Sequence, residues 1–156
     1  MGTALFTSLQ ETPLALWVSG SSSIFGYPTI LTLHTIGLAL LVGANVVVDL
    51  RLLGVAPNIP PAALRPLLRL MWIGLAINTV SGILLFIADA VRKAGQPVFQ
   101  IKLLCIAAAV VVLLFIRPLL TDDTANTNKG RGKLLATTSL LLWTGAIVAG
   151  RLMAYL

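Results

Sequence analysis

A chain of 156 residues suffices for one domain, yet its composition excludes an ordinary soluble one. Hydrophobic residues make up 58% and charged residues only 10%, against roughly 25% charged in a typical soluble domain, so apolar surface exceeds what so small a body can bury. The net charge of +6 comes from basic residues set between apolar runs, where they fix topology or meet anionic lipid rather than nucleic acid.

The first 23 residues, MGTALFTSLQETPLALWVSGSSS, carry no Lys or Arg and are interrupted by Glu11 and Pro13. They do not read as a secretory signal. Leu5, Phe6, Leu9, Leu14, Leu16, Trp17 and Val18 predict a short amphipathic segment on the membrane surface, with Trp17 at headgroup depth. The SGSSS run after it reads as a flexible connector.

Crossing a hydrocarbon core of about 30 Å takes about 20 helical residues, and four stretches are long enough. The predicted spans are 27–53, 67–90, 98–116 and 134–155. Pro28 falls in the first turn of the first span, where proline is tolerated. The connection GVAPNIPPAALRP is too rich in proline for an ordinary helix, and RPLLTDDTANTNKGRGK reads as a polar loop. The predicted fold is therefore an all-α membrane protein, a four-transmembrane-helix bundle with a short N-terminal interfacial amphipathic segment (1–23). It forms a single integral membrane domain over 1–156.

Seven Lys and Arg residues (Arg51, Arg65, Arg69, Arg117, Lys129, Arg131, Lys133) lie on the side of the first and third connections, and four (Arg92, Lys93, Lys102, Arg151) on the other. The positive-inside rule then puts both termini outside, in the periplasm if the membrane is a bacterial inner membrane.

On that orientation His34, the sole histidine, lies about 10 Å inside the outer end of its span, and Lys102 and Arg151 about 6 Å inside theirs. Asp89 ends the second span on the same side. Ionisable groups at membrane depth are costly unless they face the bundle interior or snorkel, so their shared level points to a site. Helical spacing sets His34 on a stripe with Gly37, Leu41, Asn45 and Asp49. Gly74, Asn78, Ser81, Leu85 and Asp89 form a second inward stripe, and Thr137, Thr144 and Arg151 a third. Gly37, one turn from His34, and Gly74, Gly82, Gly145 and Gly150 remove bulk, which either permits close helix approach or makes room for a flat cofactor. Nearer the other face, Asp49 is expected to pair with Arg69 or Arg117. Trp72 and Trp143 are expected to pack in the bundle or against lipid.

The run LHTIGLALLVGANVVVDLRLLG, followed by TVSGILLF, QPVFQIKLL and AIVAGRLMAY, resembles an uncharacterised bacterial four-helix integral membrane family over nearly the whole chain. More distantly it is similar to CopD-type copper-resistance membrane domains and to HemJ-type haem-binding proteins, which place a histidine with following glycines in an early helix and a lysine at the start of a later one. His34 and Lys102 occupy those places. The first similarity implies copper handling. The second implies b-type haem with porphyrin or quinone redox chemistry.

The expected function is an integral membrane redox protein holding haem b, or a quinone, in the outer leaflet. His34 would be the metal ligand or the hydrogen-bond partner of a quinone carbonyl; Gly37, Lys102 and Arg151 complete the cofactor-binding set. With one histidine, the second axial position of a haem stays open or is filled by a partner or a second copy. Copper finds no cluster of soft ligands, because Met1, Met71, Met153 and Cys105 are dispersed. The alternatives are a non-enzymatic small subunit or assembly factor of a larger membrane complex, and transport of copper or a small solute. Expected partners are membrane lipid and either further copies of the chain or a membrane complex. No catalytic residue is assigned.

Overall fold

The computed structural model describes residues 2–20, 23–121, 129–153 and 155, and every regular element among them is helical. The elements are α1 (Gly2–Gln10), α2 (Pro13–Gly20), α3 (Tyr27–Leu53), α4 (Arg65–Ile87), α5 (Ala90–Ala94), α6 (Pro97–Thr121) and α7 (Lys129–Leu152), with a 3₁₀ turn at Pro61–Leu64 before α4. Four of them, α3, α4 with its 3₁₀ turn, α6 and α7, are long and apolar enough to cross a membrane. The chain is an all-α membrane bundle. Residues 21–22 of the expected connector and 122–128 of the expected polar loop lie outside the described residues.

The first span begins and ends where its sequence predicts. Its end is set by Gly54, which adopts the left-handed conformation (φ 98°) and donates its N–H to Arg51, while Val55 donates to Leu50. This double closure satisfies the last carbonyls of the helix. The other boundaries shift, each for a local reason. Helix α4 starts at Arg65 with Pro66 in its first turn, and it stops at Ile87 because Asp89 leaves helical geometry (φ −148°, ψ 44°). Helix α6 runs past Arg117 to Thr121 with Pro118 inside it. Its terminal carbonyls are taken up from outside: Arg65 donates from Nε to the Leu120 carbonyl (2.9 Å) and from Nη2 to that of Thr121 (3.1 Å). Helix α7 starts at Lys129, so the KGRGK expected in the loop is helical, with Gly132 buried near Leu52.

Helices α3 and α4 form one antiparallel hairpin and α6 and α7 another, joined by packing of α3 on α7. Helices α4 and α6 touch little. At the loop end that seam is bridged by Arg65 and by the 3₁₀ turn on α6. The core holds Leu41, Val48, Met71, Leu113, Ile116, Leu120 and Trp143, whereas Trp72 faces outward at 39% exposure. The N-terminal pair does more than lie on a surface. Ala15 and Val18 are fully buried, Val18 with Ile30, Leu85 and Ala88, and Phe6 sets its ring edge-on to Phe86 at 6.2 Å. Leu5, Leu14, Leu16 and Trp17 stay exposed.

The tightest contact lies between α3 and α4. A Cβ on Gly37 would meet the backbone nitrogen of Asn78 at 2.8 Å, and one on Gly74 would meet that of Leu41 at 2.6 Å and the Gly37 carbonyl at 2.8 Å. Backbone cannot step aside as a flexible side chain can. Gly74→Ala is therefore expected to cost about 1–3 kcal/mol, the range for overpacking. Gly43→Ala, where the new methyl meets nothing within 4 Å, should be neutral or stabilising by about 0.5–1 kcal/mol. Reversible unfolding in mixed micelles measures both; equal effects would show that the seam is not the constraint.

Candidate functional site

The site grows out of that seam. Close approach at Gly37 and Gly74 sets the α4 residues one turn further along against His34. The Asn78 Nδ2 donates to the His34 carbonyl (2.9 Å), and the Ser81 hydroxyl lies 3.0 Å from His34 Nδ1. Gly82 presents bare backbone to the ring: a Cβ there would lie 3.2 Å from His34 Cε1. A histidine without a long stem thus finds partners in the protein, as membrane burial demands.

One arrangement of hydrogens satisfies both side chains. Ser81 has one hydroxyl hydrogen, and the shortest of its contacts is within its own helix, to the Ile77 carbonyl at 2.6 Å, with the Asn78 carbonyl at 3.2 Å; in this arrangement the hydrogen is spent there. Its oxygen is then the acceptor, so His34 Nδ1 carries the hydrogen. In the neutral ring this leaves Nε2 with a lone pair.

The ring lines a cavity of about 300 Å³ at the end of the bundle where α3 begins and α7 ends. Lys102 enters from α6, its Cε and Nζ each 3.5 Å from where a Gly150 Cβ would stand. Arg92, Lys93 and Arg151 bring further positive charge to the wall. Phe86 and Phe99 are nearly parallel (6°) with centroids 5.2 Å apart, and both face the same cavity. Leu31, Leu85 and Met153 contribute apolar surface. Asp89 binds Arg92 at 2.7 Å on the rim.

Three of the four expected cofactor-binding residues, His34, Lys102 and Arg151, line this one cavity. Gly37 does not. It lies in the helix seam with no space beside it, so its smallness serves packing. The glycines that open the cavity are Gly82 and Gly150, adjacent in sequence to Ser81 and Arg151. The expected third stripe is also corrected: Thr137, Thr144 and Arg151 are exposed, and α7 turns Gly132, Ala136, Ser139, Trp143, Ala146 and Ala149 inward. Small residues pack close, and that outweighs the polarity of two threonines whose hydroxyls can bond within the helix. Asp49 does not pair with Arg69 or Arg117, which lie on exposed faces; it is fully buried and accepts from Asn45. Among the described residues, no group of three or more His, Cys, Asp or Glu side chains converges as a metal site.

Lys93, on the short α5 outside the spans, was not anticipated as part of this wall. Its ammonium donates to the Leu85 carbonyl. Burial pushes it below the ordinary lysine value, with Asp89 pulling the other way and Arg92 and Lys102 adding to the push. Between its folded and unfolded values the unfolded chain holds more protons, so this group's contribution to stability rises with pH across that window. Competitive amine labelling read by mass spectrometry should show Lys93 reaching half its maximal reactivity at lower pH than a free lysine, and returning to the ordinary value in denaturant. A profile identical to free lysine would remove Lys93 from the buried wall.

No curated protein and no solved structure matches the chain. A family model does, over residues 17–156, which takes in α3 to α7 and every residue of the cavity wall. The chain belongs to DUF6644, a family of unknown function.

Proposed function

We propose that the chain is an integral membrane protein that binds the ring of a quinone, in its reduced quinol form, in the His34 cavity. The observation that carries this reading is the placement of the His34 ring: Ser81 lies 3.0 Å from Nδ1, and with the Ser81 hydrogen on the Ile77 carbonyl Nε2 is left as an acceptor on a cavity that also holds a lysine ammonium. A quinol hydroxyl donates to Nε2. The ammonium of Lys102 donates to the second oxygen of the ring, and the flat Phe86–Phe99 pair offers an aromatic face. Leu31, Leu85 and Met153 suit the substituents, with the tail running into the acyl chains of the bilayer. By the distribution of Lys and Arg this end of the bundle is the outer one, on the periplasmic side of a bacterial inner membrane.

Haem fits this wall in its donors but not in its size. The neutral Nε2 of His34 suits an axial bond, and the cations suit propionates. A cavity of about 300 Å³ is at the lower bound for small-molecule sites. That suits a single substituted ring better than a porphyrin macrocycle.

Calorimetric titration of the purified protein in detergent with a short-chain quinol and its oxidised quinone tests the reading. The quinol is expected to bind saturably and more tightly than the quinone. His34→Ala and Lys102→Gln should each weaken it about tenfold or more, equivalent to about 1.4 kcal/mol. Ser81→Ala, which frees Nδ1, should narrow the preference for the reduced form. Absence of saturable binding, or variants that bind like wild type, would overturn the proposal. A Soret band in the protein as purified would assign the cavity to haem instead.

A further inference from the structure

Helices α3 and α7 bury a second polar group, about 22 Å along α3 from His34 at 1.5 Å per residue. Asn45, Asp49 and Ser139 have no exposed surface. Both amide hydrogens of Asn45 are spent: Nδ2 donates to Asp49 Oδ2 at 2.5 Å and to Ser139 Oγ at 2.7 Å. Two oxygens remain, Asn45 Oδ1 and Asp49 Oδ1, both buried and without a partner among the described residues.

Among the described residues no charged group compensates the carboxyl. On α3 itself, Arg51 is turned to the carbonyls of Pro57 and Ile59. Arg69 on α4, Arg117 on α6 and Arg131 and Lys133 on α7 lie on exposed faces, and Arg65 reaches the end of α6. The groups that act on Asp49 are Ser139 and Asn45. An ionised carboxylate here would be a buried, unpaired charge with one oxygen stranded, which is far more costly than a buried neutral group.

One hydrogen resolves both orphans. Placed on Asp49 Oδ1, it turns a stranded acceptor into a donor, and the stranded acceptor of the neighbouring amide is Asn45 Oδ1. The N–H to oxygen contact already exists on one side, and an O–H to oxygen contact on the other would close a cyclic acid–amide pair. We propose that Asn45 and Asp49 form a proton-binding site in the half of the bundle remote from His34, with Asp49 a neutral carboxylic acid whose hydrogen is shared with the Asn45 carbonyl. The site is independent of the quinone reading, because the backbone seam at Gly37 and Gly74 and the buried Leu41 lie between the two.

Infrared difference spectroscopy of wild type against Asp49→Asn at neutral pH, in sodium and in choline buffers, tests it. The variant is expected to lose the carbonyl stretch of a protonated carboxyl, a band that shifts on hydrogen–deuterium exchange and is the same in both buffers. Loss of carboxylate stretches instead would overturn the proposal, and a carboxylate signal that depends on sodium would make this a cation site. A measurement on the unaltered chain covers failure of the variant to fold. With ¹³C-labelled aspartate, one carboxyl should keep the chemical shift of the protonated form at neutral pH; if all shift as carboxylates, the proposal falls. In detergent melts Asp49→Asn should match wild type while Asp49→Ala melts lower, and an equal fall in both would count against the neutral acid.

Discussion

The backbone contact between α3 and α4 governs the rest of the structure. Without a Cβ at Gly37 or Gly74 the two helices approach to the limit that their peptide groups allow. In a bilayer no hydrophobic force pulls helices together, so dispersion at such contacts and hydrogen bonds across them do that work. The register set there is what brings the Asn78 amide to the His34 carbonyl and Ser81 to the imidazole. A separation wider by one methyl group would leave the histidine without either partner. Packing and site are thus one arrangement viewed at two depths.

The same contact divides the bundle into two polar levels. Toward the termini, side chains from all four long helices surround a cavity. Toward the connecting loops, Asn45, Asp49 and Ser139 close on one another. Between the levels the core is Leu41, Ala44, Met71 and Trp143. The seam between α4 and α6 follows the same division. It is bridged by Arg65 at the loop end, whereas at the other end Lys102 and the aromatic pair stand around the cavity.

Much of this was legible in the chain because hydropathy and charge report on lipid directly. The four spans, the inward stripes of α3 and α4 and the shared depth of His34, Lys102 and Arg151 all follow from spacing. What was not legible depends on partners distant in sequence. Helix α6 outruns its expected end because an arginine 55 residues earlier accepts the task of capping it. A glycine gives no sign of whether backbone or ligand fills the space beside it, so spacing alone does not separate Gly37, which packs in the seam, from Gly82 and Gly150, which border the cavity. The usable signal was local: each of the two cavity glycines adjoins a polar residue, Ser81 or Arg151, at a level already marked by His34. Asp49 was matched with arginines by charge alone, although its stripe already turned it toward Asn45.

The apolar middle layer also has an electrical meaning. An energised membrane sets about 2.3 kcal/mol per 100 mV against each charge that crosses it, and a continuous file of titratable groups would dissipate that gradient. Here the imidazole and the carboxyl share one helix yet are parted by peptide-on-peptide contact and by Leu41. Between the two, α3 carries no titratable side chain, so on the proposals above the glycine seam would insulate one polar level from the other.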